Sequence, residues 1–297
     1  MILEKEKPQY ENRLIAYIDI LGFKEIIKQS ETDNSKLKLI HESLNFLKGF
    51  EKPEEWDLSL IELEESAQMK GINKFDISSK VACTCFSDLI VVSVKVNNDF
   101  NKILSTLVTN LSYIGAKLMT DKILIRGAIT YGKLIHSNDG IIMGQGLIDA
   151  YNLEVVVSKF PRIILSNKLL KKLNYPLKEK RIKFPYHQYI SRFSDGCVGF
   201  HQMIYFQVIE PSVNHSDDAL KLGLNKIKQT IIDGLDNSFE NPHIFEKYLW
   251  LKEEYQKLII NKNGIKNQIH ELNKGISGQN IHYSYTDKFY NNKKETL

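Results

Sequence analysis

Residues 14–23, LIAYIDILGF, carry the strongest structural signal in this chain. The run before Gly22 is apolar, rich in β-branched residues and interrupted by one carboxylate, Asp19, which is typical of a strand buried on both faces. Gly22 then predicts a tight turn, and FKEIIKQS, residues 23–30, predicts a helix. A carboxylate in such a strand is costly unless it is paired or bound to a metal ion. Asp19 is therefore the first candidate functional residue.

The chain on either side extends this strand, turn and helix into a regular order. The predicted elements are a helix over 37–49, two strands over 81–96, a helix over 100–117, a strand over 123–135, a helix over 147–157 and a strand over 162–166. The order β-α-β-β-α-β-α-β predicts an α+β fold, an α/β sandwich of the ferredoxin-like kind with its helices mainly on one face of the sheet.

The remaining segments are less regular. Residues 51–80 form an acidic insertion with a predicted short helix over 58–69, and residues 186–209 predict a closing hairpin whose second strand runs from Val198 to Val208. Helices are predicted over 220–235 and 244–260, and a mobile polar tail from residue 273. We therefore expect one domain over 1–211 and a helical C-terminal extension over 212–297.

Composition restricts the partners and the location. The 297 residues carry 40 basic and 36 acidic side chains, a net charge of +4 at pH 7, which is too small an excess to predict a nucleic-acid-binding groove. No apolar run is long enough for a membrane span or a signal peptide, so a cytoplasmic protein is expected. The cysteines Cys83, Cys85 and Cys197 are interpreted as small buried hydrophobic residues rather than zinc ligands.

A second carboxylate stands in a comparable place. Asp88 follows Phe86 and Ser87 at the turn of the predicted hairpin. Carboxylates on two adjacent strands can hold Mg²⁺ or Mn²⁺ beside substrate phosphates, and the Gly22 turn adds backbone N–H groups that favour a polyphosphate. The alternative is that Asp19 is a buried hydrogen-bond acceptor and Asp88 an ordinary turn residue.

Three segments in this order resemble the catalytic domain of class III nucleotidyl cyclases. They are YIDILGF at 17–23, FSDLIVV at 86–92 and IRGAITYG at 125–132, and the resemblance covers roughly residues 15–166. The segment GQGLIDAYNLE at 144–154, with Pro161-Arg162-Ile163, resembles the pyrimidine cyclases of the Pycsar antiphage system more than ordinary adenylate or guanylate cyclases. Asp195-Gly196 and KYLWL at 247–251 extend that resemblance.

The resemblance implies a set of functional residues. Asp19, Asp88 and the carbonyl of Ile20 would bind two Mn²⁺ or Mg²⁺ ions, and the N–H groups of Gly22 and Phe23 would bind the β and γ phosphates. The implied reaction is attack of a ribose 3′-hydroxyl on the α-phosphorus of a nucleoside triphosphate, with release of pyrophosphate. It also implies a homodimer with its sites at the interface.

One feature departs from the family. Many class III cyclases carry an Asn and an Arg, four residues apart, on the late helix, and these positions fall here on Ile148 and Asn152. Arg126 is the predicted catalytic cation in their place, with Arg162 as a second candidate. The alternative is that Arg126 pairs with a buried carboxylate and that Arg162 caps a strand.

Tyrosines are the candidate contacts to the base. Tyr17 is a predicted substrate-binding residue, and Tyr131 and Tyr151 are further candidates, although each can equally be a core or interface aromatic.

The resemblance implies a homodimeric, metal-dependent pyrimidine cyclase that converts UTP or CTP to the 3′,5′-cyclic monophosphate as a signal in antiviral defence, and this is the function we expect. Two alternatives stay open. One is a purine cyclase on the same scaffold, and the other is a catalytically silent module that binds a nucleotide or a partner protein.

Overall fold

A computed structural model describes residues 8–48, 81–97, 100–137, 140–176, 189–208 and 217–260. The helix predicted over 58–69 and the polar tail predicted from residue 273 lie outside these ranges.

Eight strands within the described ranges form one sheet. They are β1 (Glu11–Ile20), β2 (Val81–Phe86), β3 (Leu89–Lys95), β4 (Ile125–His136), β5 (Ile142–Met143), β6 (Ile163–Leu165), β7 (Ser191–Arg192) and β8 (Val198–Phe200). The strand order is β2-β3-β1-β4-β6-β8-β7, and β5 pairs with β4. β1 runs antiparallel to both of its neighbours, β3 and β4, whereas β4 and β6 are parallel.

Helices in the described ranges connect these strands or follow them. They are α1 (Phe23–Ser30), α2 (Asn34–Lys48), α3 (Phe100–Thr120), α4 (Gln145–Val157), α5 (Asn167–Lys172), α6 (Tyr205–Val208), α7 (Asp217–Asp236) and α8 (Pro242–Ile260). A mixed sheet with packed helices is the predicted α/β sandwich of the α+β class, and the helical segments after it agree with the predicted extension.

One predicted strand is wrong. The chain leaves the sheet at Phe200, and a 3-10 turn over Gln202–Ile204 and helix α6 take the place of a strand continuing to Val208. A short apolar run does not distinguish a buried strand from a buried helical turn. Here the side-chain amide of Gln202 donates a hydrogen bond to the carbonyl of Ile125, 3.1 Å away, and Gln202 is fully buried.

The two faces of β1 have different roles. Its apolar residues at even positions are almost completely buried, at 0 to 2% exposure: Leu14, Ala16, Ile18 and Ile20. The other face carries Ile15, Tyr17 and Asp19, and helix α4 packs there through Ala150 and Leu147.

Gly146 allows α4 to approach the sheet closely. A Cβ at this position would lie 2.4 Å from the Ile15 Cδ1, which is too close, and 3.2 Å from the Lys133 carbonyl oxygen, which is a tight contact. A glycine at this position therefore sets the distance between α4 and the strands that carry the candidate site.

The described residues fall into two compact units. The first lies within Met1–Ile114 and Leu124–Gln202, and the second within Gly115–Ile123 and Met203–Leu297. In the second unit, α7 and α8 pack together, and the Tyr255 hydroxyl donates to the Leu224 carbonyl at 3.2 Å. The domain boundary predicted at 211/212 stays a prediction. Among the described helices, none combines the length and apolarity that a membrane span needs.

Candidate active site

The structure brings the two predicted aspartates to neighbouring strand ends. Asp19 is the next-to-last residue of β1 and pairs across the sheet with Leu89 of β3. Asp88 lies in the two-residue turn between β2 and β3, where Ser87 has a left-handed φ of 57°. The Ile20 N–H donates to the Asp88 carbonyl oxygen at 3.2 Å, so the turn is held directly against the end of β1.

Arg126 enters the same site from the other side of β1. It is the cross-strand partner of Asp19 in the antiparallel pair of β1 and β4. Its Nε donates a hydrogen bond to Asp19 Oδ2 at 3.0 Å, and its Nη1 donates to the Ser158 carbonyl at 3.3 Å. The pairing of Arg126 with carboxylates, which the sequence left as an alternative to a catalytic role, is therefore present.

Glu154 of α4 is the third carboxylate of the site. Its Oε1 lies 2.7 Å from Arg126 Nε, and only 2% of its side chain is exposed. Because Nε carries one hydrogen and directs it at Asp19, Glu154 Oε1 accepts no hydrogen bond within the described part of the chain.

The charge balance of this cluster is negative. The pKa of Glu154 is raised to about 7, mainly by burial, with the charge of Arg126 opposing the rise and the charges of Asp19 and Asp88 adding to it. Both aspartates therefore lie close enough to act on the Glu154 carboxyl. Asp19 and Asp88 alone outweigh the single guanidinium of Arg126, so an excess of negative charge remains where a cation would be stabilised.

The donor set fits a hard divalent cation. Carboxylate and carbonyl oxygens are the ligands that Mg²⁺ and Mn²⁺ prefer, and Asp19, Asp88 and the Ile20 carbonyl supply them. No group of three His, Cys, Asp or Glu side chains in the described ranges forms a complete metal site by itself. Substrate phosphates and water would have to complete the coordination, as is usual for Mg²⁺.

The turn after β1 provides open space beside these carboxylates. Gly22 precedes the first residue of α1 with a left-handed φ of 74°, a conformation that favours glycine. Nothing lies within 4 Å of a Cβ placed there, within the described residues. The Leu21 N–H donates to the Leu124 carbonyl at 2.8 Å, which holds the turn beside the start of β4.

An apolar groove lies on the same face of the sheet. It has a volume of about 520 Å³ and is lined by Tyr17, Thr84, Phe86, Leu89, Val91, Ile142, Leu147, Ile148 and Tyr151. The rings of Tyr17 and Tyr151 meet edge to face with centroids 5.7 Å apart. Burial, and then the charge of Glu154, raise the pKa of Tyr17 to about 12, so its hydroxyl stays protonated.

Other candidates from the sequence lie elsewhere. Arg162 is completely buried and its guanidinium pairs through both terminal nitrogens with Asp195, so it is committed to that pair. Tyr131 contacts Phe100 and the ammonium group of Lys172.

The expectation that the cysteines are buried is wrong. Cys83, Cys85 and Cys197 are all partly exposed, and the sulfurs of Cys83 and Cys85 lie 3.8 Å apart on β2. An edge strand leaves its side chains open on one side, which accounts for the exposure of the first two.

Sequence reasoning missed Glu154. Its signal was present in the spacing, because the buried positions of α4 are Gly146, Ala150 and Glu154, four residues apart. Two small residues and then a carboxylate on the buried stripe of a helix indicate a charge that must find a partner in the sheet.

Comparisons with known proteins find similar solved structures only. No protein-family model and no curated protein matches the chain. Among solved structures, a guanylyl cyclase domain of the RhoGC fusion protein from the fungus Blastocladiella emersonii is 14% identical with a TM-score of 0.39, covering 64% of this chain and 95% of that one. The guanylyl cyclase Cya2 is 15% identical with a TM-score of 0.33, covering 55% and 79%.

A class III adenylyl cyclase-like ATP-binding protein from Pseudomonas aeruginosa is 12% identical with a TM-score of 0.39, covering 78% of this chain and 44% of that one. At these identities and TM-scores, similarity assigns no activity to this chain. The function must be argued from its own residues.

Proposed function

We propose that this chain is a metal-dependent nucleotide cyclase whose site is built on Asp19 and Asp88. The observation that carries the proposal is the placement of these two aspartates at adjacent strand ends, beside an open glycine turn and within a cluster of net negative charge. A nucleoside triphosphate with its metal ions is a ligand whose charges complement that arrangement.

Each residue has a defined part in the proposed reaction. Asp19, Asp88 and the Ile20 carbonyl would hold two Mg²⁺ or Mn²⁺ ions, which when bound supply the charge that acidifies the 3′-hydroxyl and neutralises pyrophosphate. Gly22 and Phe23 N–H groups orient the β and γ phosphates. The 3′-oxygen forms a bond to the α-phosphorus, the bond from that phosphorus to the pyrophosphate oxygen breaks, and the hydroxyl proton passes to solvent.

Arg126 is the proposed cation at the α-phosphate. It is 24% exposed and reaches the site beside Asp19, whereas buried Arg162 is committed to Asp195. The expected Asn and Arg positions of α4 hold exposed Ile148 and Asn152 instead. That replacement is the observation that favours the silent nucleotide-binding module as a second candidate.

The proposed substrate is a pyrimidine triphosphate, UTP or CTP, and the proposed role is a cyclic nucleotide signal in antiviral defence. Both rest on the resemblance of residues 144–154 to the Pycsar cyclases. The apolar groove with Tyr17 and Tyr151 is a surface on which a base can stack, and stacking does not distinguish pyrimidine from purine. A purine cyclase is therefore the alternative on the same site.

A homodimer is proposed from the surface beside the site. Exposed apolar residues of α4 recur at Ile148, Tyr151 and Val155, and Phe86 at the hairpin turn is 76% exposed. Apolar side chains grouped on one surface are typical of an interface.

The test is to incubate the purified protein with each of the four ribonucleoside triphosphates and Mn²⁺ and to identify products by mass spectrometry. A cyclic pyrimidine monophosphate is expected, reduced about a hundredfold or more in Asp19→Asn and Asp88→Asn. Asp149→Asn, the same charge change at a partly exposed position of α4, is the matched control and should retain activity. Cyclic AMP or GMP would select the purine alternative, and nucleotide binding without product would select the silent module.

A further inference from the structure

The arrangement around Arg126 contains one acceptor too many. Its single Nε hydrogen is directed at Asp19 Oδ2, 3.0 Å away, while Glu154 Oε1 lies closer, at 2.7 Å, and receives no hydrogen bond. Glu154 is 2% exposed and Asp19 is 23% exposed, so the oxygen without a hydrogen bond, Glu154 Oε1, belongs to the more deeply buried carboxylate. A buried acceptor without a donor is costly, and that cost disappears when the donor turns toward it.

Asp19 has another use for its oxygen atoms. In the proposed function, on which this inference rests, it binds a metal ion, and an arginine on the same carboxylate competes with that ion. A small rotation of the Arg126 Nε–H from Asp19 to Glu154 removes this competition. The same movement satisfies Glu154, while the Nη1 contact to the Ser158 carbonyl gives the guanidinium a second point of attachment.

We propose that Glu154 is a positioning residue. When Asp19 binds a metal ion, Glu154 accepts the hydrogen bond from the Arg126 Nε–H in place of Asp19. Arg126 then stays at the site as a cation instead of turning into solvent, and Asp19 becomes available as a ligand. Glu154 has no contact with substrate in this proposal and acts through Arg126 alone.

The geometry of the helix supports this assignment. Glu154 reaches the strand because Gly146 and Ala150, at preceding turns of the same helix stripe, let α4 approach β1 and β4. The carboxylate is thus held by packing and is present before any ion binds. It provides a preformed second acceptor, which lowers the cost of moving the arginine.

Metal binding gives the first test, without nucleotide and without turnover. Free Mn²⁺ is followed by its electron paramagnetic resonance signal during titration of the full chain and of Glu154→Gln. At pH 8, where the Glu154 carboxyl is mostly ionised, we expect Glu154→Gln to weaken Mn²⁺ binding roughly tenfold, because a neutral acceptor holds the guanidinium less strongly than a carboxylate. Asp149→Asn removes the same charge from the same helix and should stay within about twofold of the unmodified protein.

A nuclear magnetic resonance titration distinguishes two effects of Glu154→Gln. One is the loss of the acceptor to which the Arg126 Nε–H moves from Asp19, and the other is the loss of a negative charge near the metal site. The protein is labelled with ¹⁵N-arginine, and the Nε–H signal of Arg126 is assigned by its loss in Arg126→Lys. With saturating Mg²⁺, we expect this signal to shift while remaining protected from exchange with water. In Glu154→Gln the protection should decrease, because the Nε–H has lost its charged second acceptor.

The outcomes are distinguishable from those of the proposed function. Suppose that Asp19→Asn abolishes Mn²⁺ binding. If Glu154→Gln then binds Mn²⁺ like the unmodified protein, or if the Arg126 signal does not respond to Mg²⁺, the transfer of Arg126 from Asp19 to Glu154 is wrong and the metal site stands. If the unmodified protein binds neither ion, both the proposed metal site and the transfer are overturned.

Discussion

At the scale of single residues, the buried charge of Arg162 depends most strongly on its neighbours. It is completely buried between the rings of Phe160 and Phe193, with its Cζ 5.2 and 4.5 Å from their centroids. Asp195 is its counter-charge, and the hydrogen bond from Arg162 lowers the pKa of that carboxyl. Asp195→Asn should lower the free energy of unfolding by about 2 kcal/mol, because a buried guanidinium would lose its carboxylate.

Urea-induced unfolding at pH 7 measures this change. Asp149→Asn, which loses a distant pair with Lys168, should cost less than about 0.5 kcal/mol. Equal losses in the two variants would show that Arg162 does not depend on Asp195.

His136 makes a second residue-scale prediction, on pH. It is 8% exposed, and its ring nitrogens lie 2.8 Å from Ser93 Oγ and 2.9 Å from Thr84 Oγ1. Burial, and then the charge of Arg13, lower its pKa from 6.5 to about 4. Between these values the unfolded chain takes up a proton that the folded chain does not, so stability falls as pH falls, by up to about 3 kcal/mol.

Unfolding curves between pH 7.5 and 4.5 check this dependence. His136→Gln should flatten the slope between pH 6.5 and 4.5, whereas His41→Gln, at an exposed position of α2, should leave it unchanged. An unchanged slope in His136→Gln would contradict the prediction.

At the scale of elements, the packing of α4 against the sheet depends on Gly146. A methyl group there meets the fully buried Ile15 Cδ1 at 2.4 Å and the backbone carbonyl oxygen of Lys133 at 3.2 Å. Gly146→Ala should therefore destabilise the chain by about 1–3 kcal/mol despite the higher helix propensity of alanine. Gln145→Ala, one residue earlier and exposed, should stay within about 0.5 kcal/mol in the same thermal or urea unfolding measurement.

The elements themselves were largely predictable, and their partners were not. The spacing of apolar residues predicted the bounds of α2, α3 and the β2–β3 hairpin to within a few residues, because each has a long apolar stripe or a strong turn signal. It failed after Phe200, where a short apolar run was compatible with either strand or helix. The pairing of Arg126 with Asp19, 107 residues apart, depends on strand register, which no local pattern records.

At the scale of the whole molecule, the exposed apolar residues of α4 predict self-association. Val155 is 49% exposed on the stripe that also carries Ile148 and Tyr151. Val155→Asp should shift the proposed dimer to monomer, because a charge within an apolar interface loses its hydration.

Analytical ultracentrifugation measures the association state of this variant. Leu37→Asp places the same charge on an apolar side chain that is 51% exposed on α2, and it should leave association unchanged. A monomer in the unmodified protein, or a dimer in Val155→Asp, would contradict the proposed interface.

The buried polar network of Arg13, Ser93 and His136 has a consequence for how the chain tolerates insertions. Arg13 Nε donates to Ser93 Oγ at 2.8 Å across the β1–β3 pair, on the face of β1 that also carries Asp19. Slipping β1 by one residue would leave buried polar groups unpaired at one end and turn the Asp19 carboxylate away from Arg126 at the other. Slipping β3 would separate Ser93 from Arg13. A single residue added within β1 or β3 should therefore be far more damaging than one added in an exposed connection such as the turn at Gly140. A strand with an added residue could keep its contacts at one end only by losing those at the other.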